Sequence, residues 1–138
     1  MSALRKALMV VFQFPPFAGS SAVQRALRFV QHLPDHGWQP LVLTADPRAY
    51  EHISSDLATE LPPDLHIERP FALDAKRHLS ICGRHPGFLA RPDRWRVWQW
   101  TAYHVGRRLI AQLAPDIIWS TYPIVSAHDI ACKLARSS

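Results

Sequence analysis

An α/β domain with a mostly parallel sheet is the fold class this sequence predicts, and three observations predict it. Two continuous apolar, β-rich runs, residues 7–14 (ALMVVFQF) and 39–45 (QPLVLTA), flank a segment with helical periodicity. The order repeats near the end, where a long helical pattern, a short apolar run and a second helical pattern follow one another. No internal repeat or linker interrupts the 138 residues, a length that fits one domain. Strands alternating with helices make layered α/β structures, and strands covered on both faces read as unbroken apolar runs rather than alternating ones.

Each element has a local cause. The first run is preceded by Arg5 and Lys6, as a secretory leader would be, but Gln13 interrupts it and Pro15-Pro16 end it. A buried first strand explains it better. A loop with Gly19, Ser20 and Ser21 follows, and then a helix with Val23, Ala26, Leu27, Val30 and Leu33 on one face. Ser20 or Ser21 caps its start and Gly37 closes its end, with the regular helix stopping near Leu33 because Pro34 comes next. Residues 39–45 form the second strand, and a strand–helix–strand unit of this kind is right-handed with parallel strands. Residues 46–63 are polar with weak helical character, and 65–69 (LHIER) alternate as an edge strand would. Residues 70–92 read as a long loop, and loops of that length tend to be functional. Asp93 is placed to cap a long helix whose one face carries Trp95, Trp98, Ala102, Val105, Leu109 and Leu113. Pro115 ends it, and residues 116–121 (DIIWST) read as a further buried strand. After Tyr122-Pro123, Ser126 and Asp129 form a capping-box pattern, opening a last helix with Ile130, Ala131 and Leu134 inward. The sum is a Rossmann-like, three-layer domain spanning residues 1–138.

Composition narrows the functions. A net charge of +5 favours anionic partners, among them nucleotide sugars, nucleic acids and acidic membrane surfaces. The two cysteines, Cys82 and Cys132, form no C-x-x-C pair, which fits a reducing, cytoplasmic setting. No apolar run is long enough to span a bilayer. G-x-G-x-x-G, a Walker A loop and G-x-S-x-G are all absent, and the histidines lack metal-site spacing, His32 and His36 being four apart without a third ligand nearby.

The candidate site residues lie where an open α/β sheet binds ligands, beyond the carboxyl ends of its strands. Gly19, Ser20 and Ser21 join the first strand to the first helix, whose N-terminus offers free N–H groups and a partial positive charge to a phosphate or sugar hydroxyl. The same residues also read as a turn with a capping serine. Arg25 lies one turn into that helix, either reaching back to the cleft or solvated. His128 follows the last strand and is a candidate general base or ligand contact, or else a hydrogen-bonded surface histidine. Arg91, Arg94, Arg96, Arg107 and Arg108 interleave with Trp95, Trp98 and Trp100. Trp95 and Trp98 belong to the apolar face, whereas Trp100 is off it; much of the charge reads as a solvated helix face, with a peripheral membrane contact as the alternative, ahead of sequence-specific nucleic-acid binding.

The residues also carry a family resemblance. LMVVFQFPPFAGSSAVQRALRFVQHLPDHGWQPLVLTA resembles the opening of the N-terminal domain of family 4 glycosyltransferases, which have the two-domain GT-B fold. PDRWRVWQW…APDIIWSTYPIVSAHDIACKLA resembles the later part of the same domain, the likeness being weakest over residues 49–91. The resemblance implies the N-terminal half of a GT-B protein, followed by a C-terminal domain with a paired-glutamate motif that has no counterpart here. It implies retaining transfer of a sugar from a nucleotide-sugar donor to an acceptor such as a glycan or lipid-linked glycan, with no cofactor and no metal; the setting expected is cytoplasmic, with peripheral contact at the inner membrane face left open by the Trp/Arg helix. By position, Gly19, Ser20 and Ser21 match the glycine-rich loop near the donor phosphates, Arg25 the arginine of the next helix, and His128 the cleft-facing histidine of the S-x-H start. Ser20 stands where that loop usually has a second glycine. Two alternatives remain: a non-catalytic nucleotide- or sugar-binding module of the same fold, and a module that docks on a membrane or protein through the Trp/Arg helix.

Overall fold

The computed structural model describes residues 3–72 and 95–138. Among these residues four strands form one all-parallel sheet: β1 (Arg5–Val10), β2 (Trp38–Leu43), β3 (His66–Glu68) and β4 (Ile117–Ser120), in the spatial order β3-β2-β1-β4. Among the described residues three helices accompany them: α1 (Ser21–His32), α2 (Arg96–Leu113) and α3 (Val125–Ser137). The fold is α/β and Rossmann-like.

Alternation along the strands divides the core between the two sheet faces. Leu8 and Val10 of β1, with Leu41 and Leu43 of β2, pack against Trp98, Ala102 and Leu109 of α2 and Ile130 and Leu134 of α3. Met9, Val11 and Val42 point the other way, onto Ala26, Leu27 and Val30 of α1. The register sets Leu8 opposite Leu41 on one side and Ile118 on the other. Gly106 marks where α2 comes close to α3: a Cβ added there would meet Leu134 Cδ1 at 2.6 Å and Leu43 Cδ2 at 3.2 Å. Such a residue lowers helix propensity but allows this packing distance.

Local details sharpen or change the sequence reading. The first strand ends at Val10, although burial continues through Phe14. Past Val10 only the first ladder bond, from Val11 N–H to Leu43 O, continues, and the chain turns into the loop. Ser20 is the N-cap of α1, and a tight 3-10 turn from Leu33 to His36 follows the helix, closed by Gly37 in the left-handed region. The segment after β2 holds two short 3-10 turns, Pro47–Ala49 and Ala58–Glu60. Three-residue β3 is at the sheet edge, as its alternation predicts.

Two expectations need correction. β4 is not a fully buried strand: it forms the other sheet edge, and Ile117 is 47% exposed. With a neighbour on one side only, its apolar side chains rely on what reaches them across the face, such as Phe29 of α1, whose ring lies 5.0 Å from that of Trp119. Nor does Ser126 cap the last helix. Ile124 occupies the cap without a side-chain hydrogen bond, and Ser126 is buried within the first turn. The Tyr122-Pro123 turn feeds the helix two residues earlier than the S-x-x-D spacing implied. The long helix opens at Trp95, which holds the cap position without a side-chain capping bond, so it begins later than a cap at Asp93 implied; Asp93 itself lies outside the described residues, as do residues 73–92 of the expected loop.

No described helix is long and apolar enough to cross a membrane. Trp95 and Trp98 are in the core, with Trp98 fully buried, while Trp100 is 68% exposed.

Candidate functional site

The strand order locates a crevice. The connection from β1 runs to β2 on one side, while β4 lies on the other side of β1, so the direction of winding reverses between β1 and β4. Loops leaving two such strands diverge over opposite edges and leave a gap at their carboxyl ends, which is where ligands bind in open α/β sheets. α1 and α3 both begin at this gap, one after β1 and one after β4.

A recess of about 110 Å³ opens there, lined by Phe12 and Gln13 after β1, Tyr50 after β2, Trp95 before α2 and Ile124 before α3. Its walls are aromatic. The Phe12 ring lies 4.3 Å from Trp95, 5.0 Å from Trp98 and 5.5 Å from Tyr50, the last two edge-on. The floor is built by the loops after β1 and β2, which bond to each other: Ala18 N–H donates to His52 O and Ser54 N–H to Pro16 O. Arg69 braces both loops by donating to Ala45 O and Pro15 O.

Tyr50 closes the recess from below, its hydroxyl donating to Phe12 O and lying 3.3 Å from Thr44 Oγ1. Burial raises its pKa above the ordinary tyrosine value, although the Thr44 hydroxyl and the Arg69 charge oppose the shift. A raised folded-state value means the neutral form stabilises the fold. That contribution is complete below about pH 10 and is lost as pH rises through the higher folded-state value. Stability is therefore expected to fall above pH 10, with a slope of up to about 1.4 kcal/mol per pH unit from this group. Urea titrations of Tyr50→Phe should show that much less alkaline loss; an unchanged slope would mean that folding does not raise the Tyr50 pKa.

The sequence-predicted residues are placed as follows. Gly19 has φ +93°, and a Cβ there would meet nothing within 4 Å, so its conformation needs glycine while the space above it stays open. Ser20 Oγ accepts from Ala22 N–H at 3.1 Å and donates to Gln13 Oε1 at 2.7 Å, which ties the helix start to the wall of the recess. Ser21 is exposed at the first position of α1. Removing the cap with Ser20→Ala is expected to cost about 1 kcal/mol, and thermal unfolding beside Ser20→Gly, with a loss of only a few tenths, would check it. Arg25 is exposed but not simply solvated: its Nη2 donates to Tyr122 O at 3.2 Å, joining α1 to the loop after β4. His128 is half-buried, with Nδ1 2.7 Å from Ser120 Oγ.

The starts of α1 and α3 meet at one crevice, because Gln13 links Ser20 to a recess that Ile124, the cap of α3, also lines. Ser120, Gln13, Tyr50 and Arg69 are the residues that sequence reasoning missed. The S-x-H start was read within one helix, whereas the serine that holds His128 is at the end of β4. Tyr50 and Arg69 belong to segments without periodicity, and only the loop packing brings them in. Among the described residues, no group of three or more His, Cys, Asp or Glu side chains is placed to hold a metal ion.

Compared with known proteins, the chain matches no protein-family model, no curated protein and no solved structure.

Proposed function

We propose that this chain is the N-terminal, acceptor-side half of a retaining glycosyltransferase of the GT-B type. The observation that carries the proposal is the convergence of a capped helix N-terminus, Arg25, the Ser120–His128 pair and an aromatic recess on the crevice between β1 and β4.

Each part has a role in this reading. The first turn of α1 presents backbone N–H groups and a partial positive charge, over the open space at Gly19, to the diphosphate of a nucleotide-sugar donor. Arg25 adds a full charge one turn further in. The recess suits a sugar ring, whose C–H face packs on aromatic walls such as Phe12 and Trp95. His128 is held at Nδ1 by Ser120, leaving Nε2 to accept the proton of the acceptor hydroxyl or to bond a donor hydroxyl. As the acceptor oxygen bonds the anomeric carbon, the bond to the diphosphate breaks and the nucleoside diphosphate leaves with the electron pair. A second α/β domain with paired glutamates completes the donor site in this reading.

The test is transfer by the full-length natural polypeptide, offered labelled uridine, guanosine and thymidine diphosphate sugars with glycan and lipid-linked acceptors. Sugar transferred with its anomeric configuration retained supports the proposal. Binding of nucleotide sugars without transfer reduces the chain to a binding module, and neither binding nor transfer removes the reading.

A further inference from the structure

The outward face of α2 is a second, separate feature. Arg96, Trp100, Tyr103 and Arg107 recur at four-, three- and four-residue spacing, which sets them on one side of the helix, opposite the buried Trp98, Ala102 and Leu109. Lys133 of the neighbouring α3 lies beside them: Arg96, Trp100, Tyr103 and Lys133 line one broad, open groove of about 590 Å³. Trp100 is 68% exposed, the most exposed of the large apolar side chains described, and its ring meets His104 edge-on at 4.6 Å. Arg96, Arg107 and Lys133 are exposed, and none has a carboxylate partner among the described residues. Arg108, by contrast, is 3.6 Å from Glu68 and turns away to the sheet edge.

A core does not require this pattern. Leaving an indole in water costs apolar burial that a polar residue would not forgo, and three unpaired cations around it repel one another. The combination matches the boundary of an anionic bilayer, where indole and phenol rings occupy the headgroup level and each nearby Lys or Arg is attracted by the surface potential. The groove is open rather than enclosed, which fits a broad surface better than a small molecule. A nucleic acid would share the cations but would call for several stacking rings in a track, and here one exposed indole and one half-buried phenol are present.

We infer that the outer face of α2, with Lys133 of α3, docks the protein peripherally on a membrane surface rich in anionic lipid, with Trp100 as the interfacial anchor and Arg96, Arg107 and Lys133 as the electrostatic contacts. The inference needs nothing from the crevice and holds whether or not the chain serves a transferase. Trp95 lines the recess, while Arg96, the next residue, and Trp100, a turn further on, line the outer groove.

The experiment is vesicle co-sedimentation of the full chain with phosphatidylcholine vesicles, pure or with about one-third phosphatidylglycerol. Binding is expected to the anionic vesicles, to fall steeply between low and high salt, and to be at least about tenfold weaker on the zwitterionic ones. Trp100→Ala should weaken it about fivefold or more, and Arg96→Ala with Lys133→Ala about 25-fold, since each cation contributes roughly a factor of five. These positions are exposed, and unfolding midpoints measured alongside confirm that the variants fold. As a second readout, tryptophan emission should shift to the blue on vesicle addition in the parent and not in Trp100→Phe. Equal binding by parent and variants, no preference for the anionic lipid, or tighter binding to a single-stranded oligonucleotide than to the vesicles would overturn the inference.

Discussion

Trp98→Ala is expected to cost the fold roughly 3–5 kcal/mol, the range for emptying a fully buried tryptophan site. Trp98 has no exposed surface, stands edge-on to Phe12 with ring centres 5.0 Å apart, and donates its indole N–H to Thr44 O at 2.8 Å. The substitution removes three things together. It leaves a cavity between α2 and the sheet, withdraws a ring from the aromatic cluster, and strips a donor from a buried carbonyl at the end of β2. A domain of this size holds only about 5–15 kcal/mol in total, so the loss is a large share of it. Trp98→Phe separates the terms: it keeps most of the packing and forfeits the hydrogen bond, for about 1–3 kcal/mol. Urea unfolding of the three proteins provides the check. If Trp98→Ala lost less than about 1 kcal/mol, α2 would not pack against the sheet through this residue.

His128→Ala is expected to lower sugar transfer by about 10²–10⁴-fold in the full-length protein, the usual worth of a placed general base. The fold should survive, because His128 is only half-buried and its bond is to Ser120 Oγ at 2.7 Å rather than to the core. Ser120→Ala is the more informative partner. If Ser120 acts by orienting the imidazole, its removal should lower kcat several-fold while KM and the unfolding midpoint stay where they are. Equal turnover in the parent and both variants would take His128 out of the site and leave it a bonded surface histidine. Loss of turnover together with loss of structure would show that the pair serves the fold.

What was legible in the sequence is what local physics controls. Unbroken apolar runs announced central strands because a strand covered on both faces has no polar positions to show. Ser20 announced the start of α1 because its hydroxyl satisfies a helix N–H two residues away, in Ala22. Periodicity separated the buried Trp98 from the exposed Trp100, since two residues along a helix is more than half a turn. The same local rule misled at Ser126, because a capping box is also compatible with a serine buried inside the first turn. There the preceding Tyr122-Pro123 turn, and not the serine, set where α3 begins.

The candidate site depended on something no local pattern contains. β1 and β4 are separated by more than a hundred residues, yet they are neighbours, and that adjacency creates the crevice, gathers Phe12, Tyr50, Trp95 and Ile124 into one recess and brings Arg25 to Tyr122 O. The sequence by itself determined the order and kind of the elements, their buried faces and the loop that begins α1. Only the tertiary structure decided the strand order, the exposed edge of β4 and the residues that line the crevice. Hydrogen bonding and side-chain periodicity act over a few residues, whereas strand order is chosen by which faces can be buried together once the whole chain is collapsed.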